Sequence, residues 1–142
     1  DDLSSLADQH AIDLVVLAGY LRKVPVPPSL ERKIVNIHPA LLPSFGGNGM
    51  YGMRVHEAVL EAARTRGLTE SGCTVHLCDG AYDTGPIVLQ RRCAVLPDDT
   101  PHSLANRVFE QECIAYPQAI AALLDERLGG SAAGDHGSQT EG

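Results

Sequence analysis

Residues 12–18 read IDLVVLA, a continuous aliphatic run rich in β-branched side chains with no polar alternation. A strand of that kind is buried on both faces and belongs inside a sheet covered by helices on either side. It also needs a neighbouring strand along each edge. Only one helical segment, over residues 1–9, precedes it. The sequence therefore reads as starting part-way through a domain.

The rest of the chain supplies what such a strand requires. VPVPPSL is a proline-rich turn, and Pro28 suits the first turn of a short helix through Arg32. KIVNIH is a second short strand, stopped by Pro39. A long glycine-rich loop follows, then YGMRVHEAVLEAARTRG, in which Val55, Val59, Ala62 and Ala63 share a helical face and Gly67 is placed to end the helix. CTVHLCD and PIVLQRRCAVL are the third and fourth strands. GAYDTG between them is too short for a crossover helix, which makes that pair antiparallel. A last helix begins near Pro101, with YP expected to interrupt it at 116–117 before a further turn or two reaches Leu128. The expectation is an α/β fold, a mostly parallel sheet with an antiparallel hairpin at one edge. It forms one domain over residues 1–128, and 129–142 is a small, polar, solvated tail.

Composition narrows the function. The net charge is −7 with no basic stripe, which argues against a nucleic-acid binder. No apolar run approaches the roughly 18 residues of a membrane span, and DDLSSLADQH lacks the pattern of a signal peptide. Cys73, Cys78, Cys93 and Cys113 match no zinc spacing and are read as reduced thiols in a cytoplasmic protein.

Asn36 and His38 are the first candidates for chemistry. Two apart on a strand, they leave from the same face, at the carboxyl end where open α/β sheets bind ligands. An amide can donate to a developing oxyanion, and an imidazole can move a proton near neutral pH. A capped strand end would look the same. Glycines at 46, 47, 49 and 52 then permit close backbone approach to a ligand. Asp83 lies in a tight turn, where an aspartate bonding its own backbone is ordinary. His76 and His56 read as structural histidines, with no metal-ligand spacing around them. On the last helix Leu104, Ala105, Val108, Phe109, Cys113, Ala115 and Tyr116 fill one arc, and Glu112 falls in its middle. A carboxylate aimed at a core needs a partner. Arg91 or Arg92 would serve, and so would an amine-bearing ligand.

VVLAGYLRKV, NIHPALLPSF, GCTVHLCDGAYDTGPIVLQ and FEQECIAYP stand in an order and spacing that resemble the phosphoribosylglycinamide formyltransferases of purine synthesis, over residues 1–128. NIHP marks the wider formyl-transfer superfamily; GMYGMRVHEAVLEA and the DTGP turn narrow the resemblance to this member. It implies a Rossmann-like formyltransferase fold and transfer of a formyl group from 10-formyltetrahydrofolate, the co-substrate, to the amine of glycinamide ribonucleotide, without a metal. By position, Asn36, His38 and Asp83 correspond to the catalytic trio, with Asp83 raising the pKa of His38. Leu21, Arg22, Lys23 and Val24 fall on the segment that holds the folate pteridine, together with Asn36. Asp79, Gly80, Ala81, Tyr82 and Asp83 match the loop that closes over the same ring. Glu112 falls on the acid that contacts the glycinamide substrate. Partners are then small molecules, with no nucleic acid or membrane, and with a homodimer left open.

The departures matter too. The family's N-terminal βαβ part, whose glycine-rich loop cradles the substrate phosphate at a helix N-terminus, has no counterpart here. The chain reads as the C-terminal two-thirds, the catalytic part. Cys113 stands where the resemblance implies a histidine, and the loop after Ser44 is long. Two alternatives stay open: a 10-formyltetrahydrofolate hydrolase, and an inactive folate-binding remnant.

Overall fold

The computed structural model describes residues 15–16, 34–78 and 85–128. Four strands form one sheet in the order β1 (Val15–Val16), β2 (Ile34–His38), β3 (Glu70–Leu77), β4 (Ile87–Ala94). Two helices, α1 (Met53–Arg66) and α2 (Pro101–Leu128), complete the α/β fold. The expected segments over 1–9 and near 28–32, the remainder of the 12–18 strand, the turn 79–84 and the tail 129–142 lie outside the described residues.

β1 and β2 are parallel, and β3 and β4 form the antiparallel edge hairpin that the short connection requires. β2 and β3 are antiparallel as well, with His38 opposite Thr74 and Asn36 opposite His76. The sequence reading placed antiparallel pairing only at the last pair. The connection 39–69, which holds both a long loop and α1, returns the chain to the end of β2 from which it left, since His38 pairs with Thr74 and Val35 with Leu77. β3 is the central strand of the hairpin side, buried from Ser71 to Leu77.

α1 buries Val55, His56, Val59 and Ala62, a stripe at helical spacing, and ends where glycine permits a left-handed residue. Gly67 has φ 73°, and its N–H donates to the Ala63 carbonyl. Arg64 and Arg66 in the last turn favour the negative end of the helix dipole. α2 starts with a reciprocal cap: the Ser103 N–H donates to Thr100 Oγ1 (3.1 Å), and the Thr100 N–H donates to Ser103 Oγ (2.9 Å). Pro101 occupies the first turn, where its missing N–H costs nothing.

α2 is continuous through Pro117, contrary to the interruption expected at YP. A proline inside a helix costs about 3 kcal/mol. Packing on both sides of it offsets this. Ala115, Ala119 and Leu123 are buried at four-residue spacing, and the Tyr116 hydroxyl donates to the Val35 carbonyl at 2.9 Å. Pro117 itself faces solvent. Phe109 and Cys113, assigned to the apolar arc, are exposed, Phe109 by 61%. The buried line instead follows Leu104, Val108, Ala115, Ala119 and Leu123.

The core lies between α2, α1 and one face of the sheet, and joins those residues to Val59, Val35, Cys73, Val75 and Leu77. Period-two alternation sends Asn36, His38, Thr74 and His76 to the opposite face. Gly72 fixes how closely the hairpin closes. A Cβ there would stand 1.9 Å from the Arg91 carbonyl oxygen and 3.0 Å from the Arg92 Cα, both backbone atoms of β4 that cannot turn aside. Gly72→Ala should therefore cost about 3 kcal/mol, seen as a lower midpoint in denaturant unfolding. An unchanged midpoint would show that β4 can move away freely.

Candidate active site

His38 ends β2 only 4% exposed, and its Nε2 lies 2.6 Å from the Phe45 carbonyl oxygen. A carbonyl can only accept, so Nε2 carries the proton in this bond. Phe45 has φ 58°, a left-handed conformation uncommon for a residue other than glycine. The backbone is strained at the residue that grips the imidazole. Asn36, half-buried, leaves the same face of the same strand. The structure thus brings these two together as the two-residue spacing requires.

The segment after His38 is held by a compact set of hydrogen bonds. The Thr74 hydroxyl, fully buried, donates to the Ala40 carbonyl (2.7 Å) and accepts from the Leu42 N–H (3.0 Å) and the Gln90 amide (3.0 Å). The same Gln90 nitrogen donates to the Leu42 carbonyl at 2.9 Å. All the hydrogen-bonding capacity of that hydroxyl is used. Sequence reading passed over Thr74 and Gln90. The available signal was parity, since Thr74 lies two residues before His76 on the strand beside His38. Further along, Gly47 and Gly52 have positive φ, with nothing within 4 Å of an added Cβ. Backbone conformation rather than crowding calls for glycine there.

His56 also belongs to this neighbourhood. It is 5% exposed on α1, and its Nδ1 has no hydrogen-bond partner among the described residues. Burial holds its pKa below the ordinary histidine value, and nearby His38 adds to the effect. His56 is therefore neutral when folded but protonates near pH 6.5 when unfolded. Stability should fall as pH drops below about 6.5, because the unfolded chain binds the extra proton. In His56→Leu the loss of thermal stability between pH 7 and 5.5 should be smaller than in the unsubstituted protein. Identical losses would assign that titration elsewhere.

Glu112 sits half-buried on α2, close enough to Cys73 of β3 for its charge to be felt there. Burial raises its pKa. Its charge, after burial, is the second cause that pushes the Cys73 thiol up to about 12. Neither arginine proposed as its partner reaches it. Arg91 donates to Gln111 Oε1 (2.8 Å), and Arg92 pairs with Glu70 (3.3 Å). Among the described residues Glu112 has no ion pair. Leu21, Arg22, Lys23 and Val24, and Asp79, Gly80, Ala81, Tyr82 and Asp83, lie outside the described residues. Among the described residues, no three of His, Cys, Asp and Glu are grouped to hold a metal ion, and no helix is long and apolar enough to cross a membrane.

A strand-end asparagine and histidine on one face of an α/β sheet coincide with a family match: residues 1–120 correspond to the formyl transferase domain. The chain belongs to the formyl transferase family. It is 43% identical over 129 residues to the chloroplastic phosphoribosylglycinamide formyltransferase of Arabidopsis thaliana, covering 89% of this chain and 43% of that protein. The crystal structure of a phosphoribosylglycinamide formyltransferase from Anaplasma phagocytophilum superimposes with a TM-score of 0.71 at 36% identity, over 84% of this chain and 54% of that one. A formyltetrahydrofolate deformylase from Pseudomonas syringae gives 0.69 at 28% identity, over 88% and 40%. The formyl transferase fold expected from the motifs is thus present. The chain spans about half the length of these relatives.

Proposed function

We propose that this formyl transferase chain carries the catalytic part of a phosphoribosylglycinamide formyltransferase, moving a formyl group from 10-formyltetrahydrofolate to the amine of glycinamide ribonucleotide in a cytoplasmic purine pathway. The observation that carries the reading is the buried His38, its Nε2 bonded to Phe45, beside Asn36 on one sheet face. The substrate amine attacks the formyl carbon, a C–N bond forms, and the carbonyl oxygen becomes an oxyanion. The Asn36 amide and protonated His38 donate to that oxygen, each such donor being worth about 10²–10³ in rate. As the intermediate collapses, the bond to the folate nitrogen breaks. The proton lost by the amine reaches that nitrogen through a water held by Asp83, whose charge also keeps His38 protonated. Leu21, Arg22, Lys23 and Val24, with residues 79–83, hold the pteridine. Glu112, desolvated and without an ion pair among the described residues, contacts the glycinamide substrate.

The test mixes the purified full-length protein with glycinamide ribonucleotide and 10-formyltetrahydrofolate and follows folate absorbance. Turnover that requires the amine supports transfer. Turnover without it favours the hydrolase, the second reading that the deformylase likeness supports. Folate binding with no turnover would leave only an inactive remnant.

A further inference from the structure

We infer that Thr74 and Gln90 are positioning residues for His38, clamping the 40–45 turn so that the Phe45 carbonyl holds the imidazole in one orientation. The proposal rests on the formyl-transfer reading for its effect on rate, but its geometry stands apart from it. His38 and the Phe45 carbonyl are seven residues apart, joined by a turn whose last residue has a left-handed backbone at φ 58°. Such a conformation persists only where surrounding structure over-determines it. Phe45 packs against the core on one side. On the other, the Thr74 hydroxyl ties the turn to the sheet at Ala40 and at Leu42. Gln90 reaches over from β4 and bonds both that hydroxyl and the Leu42 carbonyl. The clamp thus spans β3 and β4 and fixes a turn that leaves from β2. Ala40 and Thr74 are fully buried, so water cannot substitute for a lost bond.

Removing the clamp lets the turn relax and the Phe45 carbonyl withdraw from Nε2. An acceptor on Nε2–H favours the imidazolium, so its loss lowers the pH at which His38 titrates. Among the described residues the titratable neighbours are His56 on α1 and His76 on the same face of β3; these, and the Asp83 that the functional reading places beside His38, are present in every variant and do not alter the comparison.

Thr74→Val keeps the shape and removes the hydroxyl. In the full-length protein it should lower kcat about tenfold, with KM for both substrates within about twofold. The His38 midpoint, read by NMR of the imidazole without substrates, should move down by about half a unit or more. Thr74→Ser should restore both. A Thr74→Val protein with an unshifted His38 midpoint and normal kcat overturns the proposal, as does a loss of thermal stability alone. Should Thr74→Val not fold, Gln90→Leu is read in the same way and decides it. If the unsubstituted protein transfers no formyl group, the functional reading falls, whereas the His38 midpoint still decides the clamp.

Discussion

Replacing His38 by alanine should lower kcat for formyl transfer at least about a hundredfold, with KM for both substrates changed by only a few fold. The unequal effect follows from what the side chain does. A donor aimed at the oxyanion is engaged fully only once the formyl carbon becomes tetrahedral, so its loss raises the barrier and leaves ground-state binding nearly intact. His38 is suited to that role because its orientation is set from outside the substrate, through Nε2 and the Phe45 carbonyl at 2.6 Å. A ring held that way loses little entropy when the charge develops.

Asn36→Ala should fall in the same range. The double variant should cost much less than the product of the two, since both groups serve one oxygen. Thermal unfolding of each variant separates a lost donor from a lost fold. Near-normal turnover by either single variant, in a protein shown to be folded, removes the role assigned to that residue.

How far these features could be read from sequence depended on whether they were local. The α1 stripe and Gly67 were legible because a helix buries every third or fourth residue and a left-handed terminus asks for glycine. The common face of Asn36 and His38 followed from strand periodicity alone. What sequence could not provide were the contacts made across the sheet. Nothing in residues 39–52 announces that β3 will lie antiparallel to β2. Thr74 and Gln90 belong to different strands from the turn they hold, separated from Leu42 by 32 and 48 residues. Pro117 looked like a break because its cost is local, while the packing of Ala119 and Leu123 that offsets it is not. Arg91 and Arg92 were plausible partners for Glu112 by charge; the geometry directs them to Gln111 and Glu70.

Asp99→Ala should destabilise the protein by about 3 kcal/mol, lowering Tm by about 10 °C for a chain of this size. Asp99 is the joint between β4 and α2. Its carboxylate accepts a bidentate pair from Arg107 at 2.7 and 2.9 Å, the Leu96 N–H at 2.8 Å and the Ser103 hydroxyl at 2.7 Å. The side chain is 2% exposed, so alanine leaves Arg107 facing a vacancy that water fills poorly. Arg107 is 25% exposed and can partly rehydrate, which places the cost at the lower end for a broken buried pair. The hydrogen bonds from Arg107, ahead of those from Leu96 and Ser103, hold the Asp99 carboxyl well below the usual carboxylate range. Its contribution is therefore complete above the unfolded value near pH 4 and is lost as pH falls toward the folded one. The stability gap between the unsubstituted protein and Asp99→Ala should be constant from pH 7 to 5 and narrow below about pH 4. A gap that instead widens on acidification would mean that the carboxylate is not the group holding the corner. Because α2 carries Gln111, Glu112 and Tyr116 from this fixed start, loosening the corner should also weaken the grip of Tyr116 on Val35 of β2, three residues before His38.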